Sequence, residues 1–137
     1  GKVPPAVVDL PMPIVDFGTK TMDEILVEYR KLPYYVSEET NEMGIIINTN
    51  SQHFPKLLLM EDGGKYFAAF TITFDRLVIR APYLSEYLIA NGYEYKPQAS
   101  ALPTFVNEEK QVMAQFDVAD IYQLGYYSIS FQPNEIK

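Results

Sequence analysis

One stretch constrains this chain more than any other. After Gly63-Gly64 comes Lys65-Tyr66-Phe67-Ala68-Ala69-Phe70-Thr71-Ile72-Thr73-Phe74, rich in aromatic and β-branched residues. It reads as the second strand of a hairpin whose glycines accept positive φ. Strand side chains alternate sides. Strict alternation puts Tyr66, Ala68, Phe70, Ile72 and Phe74 on one face and Phe67, Ala69, Thr71 and Thr73 on the other. Gly125-Tyr126-Tyr127-Ser128-Ile129-Ser130-Phe131, near the end, repeats the pattern.

The rest of the chain can be placed around these two strands. Residues 1–18 hold four prolines, which fix φ and remove donors, so this segment is expected to be extended. It reads either as a tether from a membrane anchor or as an arm lying along the domain, with Ile14-Val15-Asp16-Phe17 available as a short edge strand. Thr21 and Glu24 form a capping box that starts a helix, with Met22, Ile25, Leu26, Tyr29 and Leu32 as its apolar stripe. Pro33 stops it. Strands follow at Tyr34–Val36, Gly44–Asn48 and Lys56–Met60, with a polar turn over Glu38–Glu42. Asp75–Ala81 reads as a connector, and Pro82 opens a second helix that Asn91-Gly92 ends. Strands are then expected at Tyr93–Tyr95, Thr104–Asn107 and Gln111–Val118.

Sliding the chain on itself by about 59 positions superposes helix on helix and strand on strand. Tyr34 lands on Tyr93, Asn48 on Asn107, Ile25 on Leu84 and Tyr29 on Leu88. Phe70 and Ile72 land on Ile129 and Phe131. Strands therefore come in consecutive runs joined by short turns, which is the α+β pattern. The expected fold is two tandem α-ββββ repeats, about 19–78 and 79–137, forming one curved antiparallel sheet with two helices packed on one face. The other face stays open.

Composition limits what such a domain can do. A net charge of −7 argues against nucleic acid and anionic membranes as partners. No apolar run approaches the roughly 18 residues of a transmembrane helix. There is no cysteine, which removes disulfides and thiolate sites. His53 is the single histidine, in a loop and without the second His or Cys that a zinc site needs. Carboxylates cluster at Glu38, Glu39 and Glu42 and at Glu61-Asp62, in polar turns where solvated charge is the ordinary explanation. No nucleophile elbow, calcium loop or phosphate loop is present. No cofactor, metal site or catalytic residue is expected. An enzyme with a carboxylate site ranks third among the readings.

Tyrosine dominates the aromatics and is enriched at binding surfaces. The open face is expected to carry Phe67, Thr71, Thr73, Tyr126, Ser128, Ser130 and Gln132, with Phe70, Ile72, Ile129 and Phe131 under the helices. Small hydroxyls flanked by aromatics suit contact with a protein or a glycan. The alternative is a self-assembling or scaffolding module pairing through a sheet edge.

Pro4-Pro5, Asp16-Phe17-Gly18 and the junctions Pro33-Tyr34-Tyr35 and Gly92-Tyr93 carry a resemblance. The layout resembles the tandem helix-plus-four-strand repeats of the β-lactamase-inhibitor-protein-like fold. It is also similar to small secreted or lipoprotein domains of gut Bacteroidetes. The resemblance implies an exported binding or envelope protein with no known activity. The start Gly1-Lys2, without Met, reads as a trimmed mature form that has lost its leader and any membrane tether.

Overall fold

A computed structural model describes residues 9–136. Its helix α1 (Met22–Tyr29) begins at the expected capping box. The Thr21 hydroxyl accepts the Glu24 N–H at 3.2 Å, and the Glu24 carboxylate accepts the Thr21 N–H at 3.1 Å. Such caps are worth about 1 kcal/mol. Four strands follow: β1 (Tyr35–Thr40), β2 (Ile45–Thr49), β3 (Lys56–Asp62) and β4 (Lys65–Thr73). A short helix α2 (Arg76–Ile79) and a longer α3 (Pro82–Ala90) lead to β5 (Glu94–Tyr95), β6 (Thr104–Asn107), β7 (Val112–Asp117) and β8 (Tyr127–Pro133). The fold is α+β, with three helices and one open sheet.

All eight strands are antiparallel, in the order β1-β2-β3-β4-β8-β7-β6-β5. Two four-stranded meanders thus meet at β4 and β8. Three glycines are indispensable to the first meander. Gly63 and Gly64, with φ of 58° and 78°, make the β3–β4 turn as expected. At Gly44, in the β1–β2 turn, a Cβ would stand 2.1 Å from the Leu59 carbonyl oxygen.

The helices cover one face. Ile25, Leu26 and Tyr29 of α1 pack with Ile47, Leu57, Leu59, Tyr66 and Ala69. Val78 and Ile79 of α2 and Leu84 and Leu88 of α3 pack with Phe105, Val112, Ala114, Phe116, Ile129 and Phe131. Corresponding rows cross the two meanders on this face: Ile47–Leu57–Thr71 in the first and Phe105–Ala114–Phe131 in the second.

Several local expectations change. Residues 9–18 form no edge strand. They run across the helix-covered face as an arm, and Phe17 packs against both core clusters. Three tyrosine hydroxyls hold the arm backbone. Tyr34 donates to Met12 O at 2.7 Å, Tyr66 donates to Ile14 O at 2.6 Å, and Tyr29 accepts the Ile14 N–H at 2.9 Å. The remainder of the Pro-rich stretch lies outside the described residues. β1 extends through Glu38–Thr40, where a turn was expected, and its carboxylates are bound on both faces: Glu38 by Arg30 and Tyr35 on the helix side, and Glu39 by Asn48 on the other. The connector after β4 contains α2 because the Asp75 carboxylate accepts the N–H groups of Leu77 and Val78.

The main correction concerns β4. Thr71 and Thr73 face the helices and are fully buried, while Phe70 and Ile72 turn to the opposite face. The cause is a bulge. Met60 pairs with Ala68 and Glu61 with Tyr66, which leaves Phe67 as an extra residue on β4. Tyr66 is buried under α1 as its side chain demands, but one inserted residue inverts everything beyond it. Phe131 and Ile129 lie under the helices as expected.

Candidate functional site

The helix-free face of the central strands carries Leu58 and Met60 from β3, Phe70 from β4, Ser128, Ser130 and Gln132 from β8, and Gln115 and Asp117 from β7. Phe70 pairs with Leu58 on one side and Ser130 on the other, and Ser130 pairs with Gln115. The floor is therefore split along the β4–β8 seam, apolar toward β3 and polar toward β7.

A wall rises over this floor from the segment between β7 and β8. Asp120 and Gln123 adopt positive φ, 50° and 56°, which turns the chain back over the sheet. Two carboxylates fix that path. Asp117 accepts the N–H groups of Ala119 and Ile121, and Asp120 accepts those of Leu124 and Gly125, at 2.8–3.3 Å. Ile121, Tyr122, Leu124 and Tyr126 of this wall, with Leu102 and Met43, close a groove of about 490 Å³. That volume lies within the range of small-molecule and side-chain pockets. Ile121 is 51% exposed and Tyr122 75% exposed, so the wall presents apolar surface to solvent rather than hiding it.

The one charged side chain that lines the groove is acidic. Asp117 lines it and Asp120 stands in its wall, and neither is in an ion pair among the described residues. Burial pushes the Tyr126 hydroxyl above its ordinary pKa, and the nearby Asp120 and Asp117 push it further. Lys56 shares this face but lines no part of the groove, and its ammonium donates to Asn48 Oδ1 at 2.7 Å.

The expected site residues divide. Tyr126, Ser128, Ser130 and Gln132 line the groove together. Thr71 and Thr73 are on the opposite face, and the half-buried Phe67 of the bulge lines no part of it. The residues missed are Leu58, Met60, Phe70, Gln115, Asp117, Met43, Leu102 and, in the wall, Ile121, Tyr122 and Leu124. The wall had a signal, since Ile121-Tyr122 and Leu124 are too apolar for an ordinary connector.

The other candidates of the sequence find partners elsewhere. Tyr29, Tyr34, Tyr66 and Tyr93 belong to the helix-covered core, where burial raises each hydroxyl, that of Tyr93 to about 12. Glu38 meets Arg30 at 2.7 Å, and that ion pair holds its carboxyl below the usual range. The backbone N–H of His53 donates to the Asp9 carboxylate, and the residue borders a shallow depression with Phe74, Asp75 and Arg76. Among the described residues, no group of three His, Cys, Asp or Glu side chains is placed to hold a metal ion. No helix among them is long and apolar enough to cross a membrane. Neither a protein family, a curated protein nor a solved structure matches this chain.

Proposed function

We propose that this chain is a non-enzymatic binding domain that contacts another protein through the helix-free face of its sheet. One observation carries the reading. Beyond its bulge, β4 turns Phe70 and Ile72 away from the helices and Ala69, Thr71 and Thr73 toward them. A strand that breaks the ordinary inside-outside rule at the centre of a sheet needs a reason. The groove supplies one, because Phe70 becomes its floor.

Between a protein and a glycan, the lining favours the protein. Methionine, leucine, isoleucine and tyrosine surround the groove, a set typical of protein interfaces. Edge pairing, the second reading, has less behind it. β1 is bulged near Tyr35 and bears Glu38 and Glu39, while β5 has only two residues. Bulges, charges and shortness are the devices that keep an edge from pairing.

The same proposal takes the domain to be an internal duplication set in an exported protein. The matching order of elements and the corresponding cross-strand rows support the duplication. The offset between matching positions is not constant, since Tyr34 corresponds to Tyr93, Ile47 to Phe105, Leu57 to Ala114 and Thr71 to Phe131. The exported setting rests on the resemblance to secreted and lipoprotein domains.

The binding reading is tested by amide hydrogen exchange with a ligand selected from a displayed-protein library. Protection in β3, β4, β8 and residues 118–126 is the expected footprint. A footprint confined to α1, α3 or the edge strands would sink it.

A further inference from the structure

The groove also carries a statement about what enters it. We infer that its occupant is an extended segment of a partner polypeptide with apolar side chains at its centre and lysine or arginine beside them. This rests on the helix-free face being the binding surface, and adds the chemistry of the partner.

The apolar part follows from the floor. Leu58, Met60 and Phe70 lie side by side across β3 and β4 and face the wall residues Ile121, Leu124 and Tyr126. A cleft lined this way on two sides takes apolar side chains, whose burial is favourable at about 25 cal/mol per Å². The thioethers of Met43 and Met60 can adjust to side chains of different shape.

The extended backbone follows from the other half of the floor. Ser128, Ser130, Gln132 and Gln115 stand in the two strands beside the apolar half. The Gln132 amide and the Ser128 hydroxyl have no hydrogen-bond partner among the described residues, yet both line the groove. They offer donors and acceptors without charge, which is what the peptide groups of an extended chain require. A helix would satisfy its own backbone and leave this side unused.

The basic flanks follow from charge complementarity. No lysine or arginine lines the groove. Asp117 lines the groove and Asp120 stands in the wall segment above it. The two aspartates accept hydrogen bonds from backbone N–H groups and form no ion pair among the described residues; the nearby Arg80 donates instead to Val118 O at 3.2 Å. The chain as a whole carries −7. Acidic residues beside the apolar centre of an incoming peptide meet repulsion along the Asp117–Asp120 side, and basic ones meet attraction that also speeds encounter. A glycan gains nothing from this charge and leaves the apolar wall unused.

A random displayed-peptide library selected against the intact protein tests the inference, with binding measured by fluorescence anisotropy on synthesised hits. The expected hits place apolar residues centrally with Lys or Arg beside them and lose binding to Phe70→Gln. Replacing their basic residues by serine weakens them about tenfold at low salt, and much less at high salt, where the charges are screened. Hits that depend on Phe70 but carry neutral or acidic flanks overturn the inference and leave the binding face standing. Hits that ignore Phe70→Gln, or the absence of any peptide hit while a glycan array binds at the groove, overturn the peptide assignment. Ligands that bind only outside the groove overturn the binding face as well.

Discussion

β4 and β8 lie side by side at the centre of the sheet and are made of similar residues, yet they are out of phase. β8 follows the ordinary rule, with Ile129 and Phe131 toward the helices and Ser128, Ser130 and Gln132 away. β4 inverts it, with Ala69, Thr71 and Thr73 inward and Phe70 and Ile72 outward. The arm accounts for the inward half of the inversion. Its backbone comes down on β4, where Thr71 donates to Pro11 O and Tyr66 to Ile14 O. Small inward side chains make room for it. The outward half is accounted for by the groove, whose floor is Phe70. Beyond its bulge the strand thus keeps small side chains under the arm and large ones, Ile72 buried and Phe70 partly exposed, on the helix-free face.

The largest effect expected separates the two faces of β8. Phe131→Ala empties a fully buried site that packs edge-on against Tyr93 and should cost about 3–5 kcal/mol by chemical denaturation. Ser130→Ala, one residue away on the other face, should change stability by less than about 0.5 kcal/mol. Comparable losses at the two positions would break the contrast.

Alkali should act chiefly through the helix-covered face, where the most deeply buried tyrosines lie. Tyr29, Tyr34 and Tyr66 have hydroxyls held well above the ordinary value of 10.0, chiefly by burial. Above pH 10 the unfolded chain releases these protons while the folded one keeps them. The folded state then binds more protons, so stability falls as pH rises, by up to about 1.4 kcal/mol per pH unit for each tyrosine. Stability measured by denaturant titration that stays level between pH 9 and 11 would contradict the buried placement of these rings.

Smaller effects probe β4 itself. Thr71→Leu forces volume against the arm and should cost about 1–3 kcal/mol. Phe70→Thr, which restores the usual alternation, should cost less than Thr71→Leu while abolishing ligand binding at the groove. The comparison is broken if Phe70→Thr is the more destabilising of the two.

How much of this was legible in the sequence follows the range of the interactions involved. The Thr21–Glu24 box, the Gly63-Gly64 turn and the Pro82 to Asn91-Gly92 helix are set within a few residues, and each forms where expected. The Ser128–Ser130–Gln132 face of β8 was equally readable, because nothing interrupts its alternation. The bulge at Phe67 was not, since it exists only in the register between β3 and β4. Neither was the arm's place in the core, which depends on tyrosine hydroxyls far along the chain. The Asp75 cap of α2 was local and could have been read from Asp75 preceding Arg76-Leu77-Val78-Ile79.

The absence of native cysteine allows the inversion of β4 to be read residue by residue. Single-cysteine variants Phe70→Cys and Thr71→Cys, exposed to a small thiol reagent under native conditions, give the most direct test. Cys at 70 should react readily and become protected when a groove ligand is added, whereas Cys at 71 should react only on unfolding. Fast reaction at 71 with protection at 70 in the free protein would mean that β4 keeps the ordinary phase, and that the groove floor has been assigned to the wrong face.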